Sequence, residues 1–182
     1  MKFIETELQD AWLVELNPRG DERGSFARSF SRDEFAERGL VADYIQANVS
    51  VSACQGTVRG LHFQKAPHTE AKLVRCVRGA ILDVIVDLRG QSPTYLRHQA
   101  FELSASNRQQ LYVPPGFAHG FQSLVDDIEI TYMVSSRYTP SAEGGLRFDD
   151  PALGIVWPLP VSVISNKDAH WPLLANKADA LF

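Results

Sequence analysis

Between residues 44 and 135 the chain is a succession of short segments in which apolar and polar residues alternate, several of them closed by Gly, Pro or an acidic pair. Alternation of this kind belongs to β-strands, whose successive side chains point to opposite faces. Segments 44–49, 56–64, 73–77, 80–88, 98–103, 110–114, 117–124 and 128–135 fit it, and none is long enough for a substantial helix. In 80–88, Leu82, Val84, Val86 and Leu88 alternate with Ile81, Asp83, Ile85 and Asp87, so one face is continuously apolar. Arg78-Gly79 between two such segments predicts a hairpin. Earlier, 12–16 reads as a strand, Asn17-Pro18-Arg19-Gly20 and Asp21-Glu22-Arg23-Gly24 as turns, and 25–30 as a return to strand. Ser31 followed by Glu34 is a capping box that predicts a short helix over 32–38, ended by Gly39. The tail over 149–172 is rich in Pro and aromatics with weak periodicity, and is expected to wrap the outside. Many short strands with regular turns and so little helix predict a mainly β jelly-roll barrel with one or a few short helices. Without repeats or linkers, residues 1–182 read as one domain.

Composition removes several function classes. A net charge of −4 with no basic block argues against a nucleic-acid surface. No apolar run is long enough for a signal peptide or a membrane span. Cys54 and Cys76 have neither metal-binding spacing nor a disulfide framework, so reduced thiols in a cytoplasmic protein are expected.

Five polar residues stand out. In Arg59-Gly60-Leu61-His62-Phe63-Gln64, Leu61 and Phe63 face one way and His62 the other. His119 follows a tight turn in Gly116-Phe117-Ala118-His119-Gly120-Phe121. Tyr132 shares a face with Ile128, Ile130 and Val134, and Lys72 opens the apolar strand at Leu73. Asp168 supplies a downstream partner that a buried imidazole would need. Each residue alone also has an ordinary structural account: a satisfied histidine, a surface lysine, a core tyrosine, a turn aspartate. A metal held by His62, His119 and Glu70 is the weaker reading, because three compatible ligands are hard to find in this pattern.

The motifs RGLHFQ, KLVRCVRGAILDV, LYVPPGFAHGF, the Tyr132 strand, DDPALGIVWP and NKDAHWPLL, in this order from Trp12 to Leu174, resemble the dTDP-4-dehydrorhamnose 3,5-epimerase family. The resemblance implies a cupin-type jelly roll, a homodimer exchanging N-terminal strand material, and neither metal nor organic cofactor. It also implies a 4-keto-6-deoxyhexose substrate carried on a nucleoside diphosphate. By the same resemblance His62 corresponds to the base, Asp168 to its orienting partner, Tyr132 to the proton donor and Lys72 to the group that stabilises the enolate. Arg23, Gln46, Asn48, Arg59, His119, Glu143 and Lys167 correspond to substrate contacts. Phe26, Arg28 and Tyr138 fall at positions that face the nucleotide base.

The chemistry suits the residue types. A C–H beside a ketone is acidic only if charge developing on the ketone oxygen is stabilised, and a fixed donor there is commonly worth on the order of 100–1,000-fold in rate. Imidazole is the natural base near neutral pH, and inversion needs a second acid across the ring. Ser25-Phe26-Ala27-Arg28, Ala47 and Arg137 depart from the family pattern at base-binding positions. Alternatives to double inversion of a dTDP-sugar are therefore a C3-only epimerase or 3,4-ketoisomerase acting on a GDP-, CDP- or dTDP-linked sugar. A sugar-nucleotide binding module without turnover is the alternative from another class.

Overall fold

The computed structural model describes residues 1–176. Along the chain lie β1 (Lys2–Glu5), β2 (Trp12–Glu15), β3 (Arg19–Asp21), β4 (Gly24–Phe26), α1 (Arg32–Ala36), β5 (Gln46–Ser52), β6 (Thr57–Gln64) and β7 (Lys72–Arg78). They are followed by β8 (Ala80–Asp87), β9 (His98–Ser104), β10 (Gln110–Val113), β11 (Phe117–Ser123), β12 (Ile128–Val134), β13 (Glu143–Gly145), β14 (Val163–Ile164) and α2 (Asn166–Ala169). One sheet has the order β1-β2-β10-β7-β12-β5 and the other β13-β6-β11-β8-β9, with β14 parallel to β6. The architecture is the expected mainly β jelly roll, in the form of two facing open sheets rather than a closed barrel.

Two half-apolar sheets reach a dry state by facing each other. Val74, Cys76 and Ile130 of the first sheet meet Ile81, Ile85, Phe117 and Phe121 of the second. The outer faces need covers of their own. Phe35 of α1 packs on Val14, Leu73 and Tyr112 outside the first sheet. Outside the second, Leu153, Ile155, Trp157 and Leu174 pack on Leu61, Phe63, Val84 and Val86, so the tail wraps the outside as expected.

Three local expectations change. Arg78-Gly79 does not close a hairpin: β7 lies between β10 and β12, whereas β8 lies between β11 and β9 in the other sheet. The turn carries the chain over the edge of the core, where a Cβ on Gly79 would come within 2.7 Å of Ile128 Cγ2. Pairing across the sheets wins because it buries both faces of each strand, which a lone hairpin cannot do. The capping box is also absent. Ser31 caps α1 without a side-chain hydrogen bond, and Glu34 Oε2 instead accepts from the Met1 ammonium at 3.0 Å. A charge-assisted bond outcompetes the neutral one, and α1 ends at Ala36. Finally, the region read as consecutive turns contains the β3–β4 hairpin, which pairs only with itself among the described residues. No helix among the described residues is long and apolar enough to cross a membrane.

Candidate active site

The second sheet supplies one wall. β6 and β11 are antiparallel with His62 opposite His119. Leu61 and Phe63 join the outer core while Phe117 and Phe121 join the inner one, so both imidazoles project between the sheets. The strands come unusually close just before them: a Cβ on Gly60, at φ +115°, would lie 2.6 Å from Gly120 Cα. Only glycine tolerates that approach and that dihedral together.

Each imidazole is held by a carboxylate. Asp168 Oδ1 lies 2.7 Å from His62 Nε2, and its Oδ2 accepts from the Gly60 N–H at 3.3 Å. Ser165, the N-cap of α2, accepts from the Asp168 N–H at 3.0 Å and so fixes the aspartate on the first turn. Burial would raise the Asp168 carboxyl, but the His62 hydrogen bond and charge, with those from Gly60 and Ser165, bring it below its ordinary value. With Nε2 engaged by Asp168, Nδ1 is the His62 ring nitrogen that remains for a substrate. The second pair is His119 Nε2 with Asp83 Oδ1 at 2.5 Å. Asp83 is fully buried, and its Oδ2 has no hydrogen-bond partner.

The first sheet supplies the facing wall. Tyr132 lies between Asn48 and Val74, and the next inward position, Val134, lies between Gln46 and Lys72. Tyr132 packs against the inner core as its alternation predicts. Burial raises its phenol above the usual value; the charge of Glu70 adds to this and Arg59 opposes it. Lys72 is not a surface lysine: its side chain is 11% exposed and Nζ sits 3.1 Å from Glu70 Oε1.

These residues share one space. A cavity of about 520 Å³ is lined by His62, His119, Asp168 and Arg59 together with Lys72 and Tyr132. A second, of about 400 Å³, shares His62, Lys72 and Tyr132 and adds Gln46, Asn48, Glu70, Tyr138 and Glu143. On the rim, Lys167 Nζ lies 2.6 Å from Glu143 Oε1, and the Tyr138 hydroxyl donates to Glu143 Oε2 at 3.1 Å. Burial pushes the Glu143 carboxyl up, but those two bonds leave it below the ordinary range. Arg59 donates to Ser52 Oγ and the Val51 carbonyl, which hold its guanidinium in place.

Arg23, Phe26 and Arg28 are not brought there. Arg23 pairs with Asp21, Phe26 is 77% exposed, and Arg28 lies 3.6 Å from Glu34. Both Nε2 atoms of the metal set considered above are engaged by aspartates and Glu70 is engaged by Lys72. Among the described residues no cluster of three or more His, Cys, Asp and Glu has a metal-holding arrangement. Asp83, and Glu70 as the partner of Lys72 rather than a metal ligand, are parts of the site that the sequence did not reveal. Asp83 carried a signal, a carboxylate on a strand otherwise nearly apolar, but the alternation drew the eye to the opposite face.

An imidazole and a phenol on facing walls, with an ammonium beside them, are groups that can take a proton from one side of a bound molecule and give one to the other. The family model described as dTDP-4-dehydrorhamnose 3,5-epimerase matches residues 5–176. A dTDP-4-dehydrorhamnose 3,5-epimerase of Sinorhizobium fredii is 45% identical over 97% of this chain and 91% of its own length. The crystal structure of the enzyme of that name from Elizabethkingia anophelis superposes with a TM-score of 0.94 at 40% identity, covering 97% of this chain and 98% of the other. That of a dTDP-6-deoxy-D-glucose-3,5-epimerase from Legionella pneumophila, in complex with dTDP-4-keto-L-rhamnose, superposes with a TM-score of 0.91 at 37% identity, covering 98% and 95%. With the sequence, the two-sheet fold and the cavity all in agreement, the chain belongs to the dTDP-4-dehydrorhamnose 3,5-epimerase family of isomerases.

Proposed function

We propose that this protein inverts C3 and C5 of a dTDP-linked 4-keto-6-deoxyhexose without a cofactor, using His62 as base and Tyr132 as acid. The observation that carries the reading is that these two side chains come from opposite sheets and line the same cavity. His62 Nδ1 removes the proton beside the ketone, and Asp168 stabilises the imidazolium through Nε2. Lys72, aided by His119, stabilises the ketone oxygen as it becomes an enolate oxygen, where a positioned donor acts most strongly. Tyr132, kept protonated by its burial, then delivers a proton to the opposite face. After each inversion the His62 imidazolium gives its proton to solvent and the Tyr132 phenolate takes one up, so both groups are reset before the second centre reacts.

Arg59 and Lys167 suit the diphosphate, because guanidinium and ammonium groups match phosphate oxygens. Gln46, Asn48, Tyr138 and Glu143 lie on the side of the smaller cavity and suit the nucleoside. Arg23, Phe26 and Arg28 act in a homodimer that exchanges N-terminal strand material; the exposed, self-paired β3–β4 hairpin supports that reading. Residues 1–182 act as a single domain. The unbridged Cys54 and Cys76 fit a cytoplasmic enzyme.

Incubating the enzyme with the dTDP-sugar in deuterium oxide tests this by NMR. Label at C3 and C5 is expected in the parent, and none in His62→Ala, which still binds dTDP. Exchange at the parental rate in His62→Ala refutes the assignment of the base.

A further inference from the structure

Glu70 precedes β7 and lines the smaller cavity with His62, Lys72 and Tyr132. Its side chain is 13% exposed. A carboxylate there is a surprising neighbour for a reaction that builds negative charge, and keeping it away from water is costly unless it is well partnered. It has two partners. Oε1 meets Lys72 Nζ at 3.1 Å, and Oε2 accepts from Gln64 Nε2 at 3.3 Å.

Gln64 is itself immobilised. Its Nε2 also donates to the carbonyls of His68 and Arg137, and its Oε1 accepts from the Thr139 N–H at 2.6 Å. The amide thus ties together the loops on either side of the cavity and fixes the far oxygen of Glu70. The near oxygen fixes Lys72.

We propose that Glu70 is a positioning residue for the epimerisation: it clamps the Lys72 ammonium at the cavity wall so that the remaining ammonium donors face the reacting ketone. A lysine ends a flexible four-carbon stem with rotatable donors. One N–H given to Glu70 leaves the others for an enolate oxygen and sets their direction. The ionisable groups that line the cavities with Tyr132 are Glu70 and Lys72 at the start of β7, Arg59 and His62 on β6, His119 on β11, Tyr138, Glu143 on β13, and Lys167 and Asp168 on α2. Glu143 is committed to Lys167 and Tyr138. Besides burial, the charge of Glu70 raises the phenol, in the sense opposite to Arg59. The inference rests on the acid–base reading of the site given above.

The test is the pH dependence of kcat, followed by solvent deuterium incorporation, for the parent, Glu70→Gln and Glu70→Asp. In Glu70→Gln, kcat falls on the order of 10–100-fold while KM stays within about threefold, as expected for a misdirected donor. The alkaline limb, where Tyr132 loses its proton, moves to lower pH. Glu70→Asp restores the limb while kcat stays below the parent. A kcat for Glu70→Gln within about threefold of the parent, or a KM that rises as much as kcat falls, overturns the proposal. If Glu70→Gln fails to bind dTDP, Glu70→Asp decides: a parental kcat there overturns the clamp. A parent without exchange at C3 or C5 overturns the epimerase reading, and the role of Glu70 with it.

Discussion

Replacing Asp168 by Asn removes one charge and one oxygen from a side chain that uses both oxygens. Oδ1 accepts from His62 Nε2 at 2.7 Å and Oδ2 from the Gly60 N–H at 3.3 Å. Asparagine has a single oxygen and must choose. If it faces His62, the ring stays in the right tautomer but the imidazolium loses its counter-charge and Gly60 loses its acceptor. A hydrogen bond to a charged group is worth about 1.5–3 kcal/mol, which at about 1.36 kcal/mol per tenfold is about 10- to 150-fold in kcat. If the amide NH₂ faces His62 instead, Nε2 must accept, the ring proton moves to Nδ1, and the cavity-facing lone pair is gone. The same tautomer fault in a Ser-His-Asp triad costs about 10⁴-fold. The expected loss in kcat therefore lies between about 10- and 10⁴-fold, with KM within about threefold. Deuterium incorporation at C3 and C5 under saturating substrate measures it, with dTDP binding as the check on folding. A folded Asp168→Asn variant whose kcat stays within about threefold of the parent refutes the dyad.

Asp83→Asn leaves His119 with a neutral partner, and kcat should fall by about tenfold or more, as for a weakened oxyanion donor; an unchanged kcat removes Asp83 from the mechanism. Gly60→Ala forces a Cβ to within 2.6 Å of Gly120 Cα at a φ of +115°. Overpacking and dihedral strain together should cost about 2–4 kcal/mol by urea denaturation, and a parental midpoint would show that the two strands can part freely. The Asp168 carboxyl is lowered on folding by its His62 hydrogen bond, against the opposing effect of burial. Its contribution to stability is thus present above the ordinary carboxylate range and is lost as pH falls through the folded-state value. Asp168→Asn should flatten that acid limb in thermal melts recorded from neutral to acid pH; an identical limb in both proteins counts against the linkage.

The inward aim of His62 and Tyr132 was legible because it depends on local alternation alone, and the pleat enforces alternation wherever a strand forms. The same holds for the strand positions and for the tail as an outer wrap, since weak periodicity leaves a segment little else to do. Local rules could not say which strands pair. Arg78-Gly79 has a hairpin's chemistry, yet β7 and β8 enter different sheets, because faces distant in sequence bury more apolar surface against each other than a hairpin can. Sequence also could not reveal the inward role of Asp83, since one apolar face hides which face the fold turns to the core. The union of His62 with Asp168 spans 106 residues; alternation showed that the imidazole needed a partner and Asp168 was a candidate, but only the path of the tail over the second sheet delivered it. Alternation and turn chemistry act over a few residues and so can be read directly. Proton transfer needs groups within hydrogen-bond reach of one another, and that proximity exists only after the two sheets have closed.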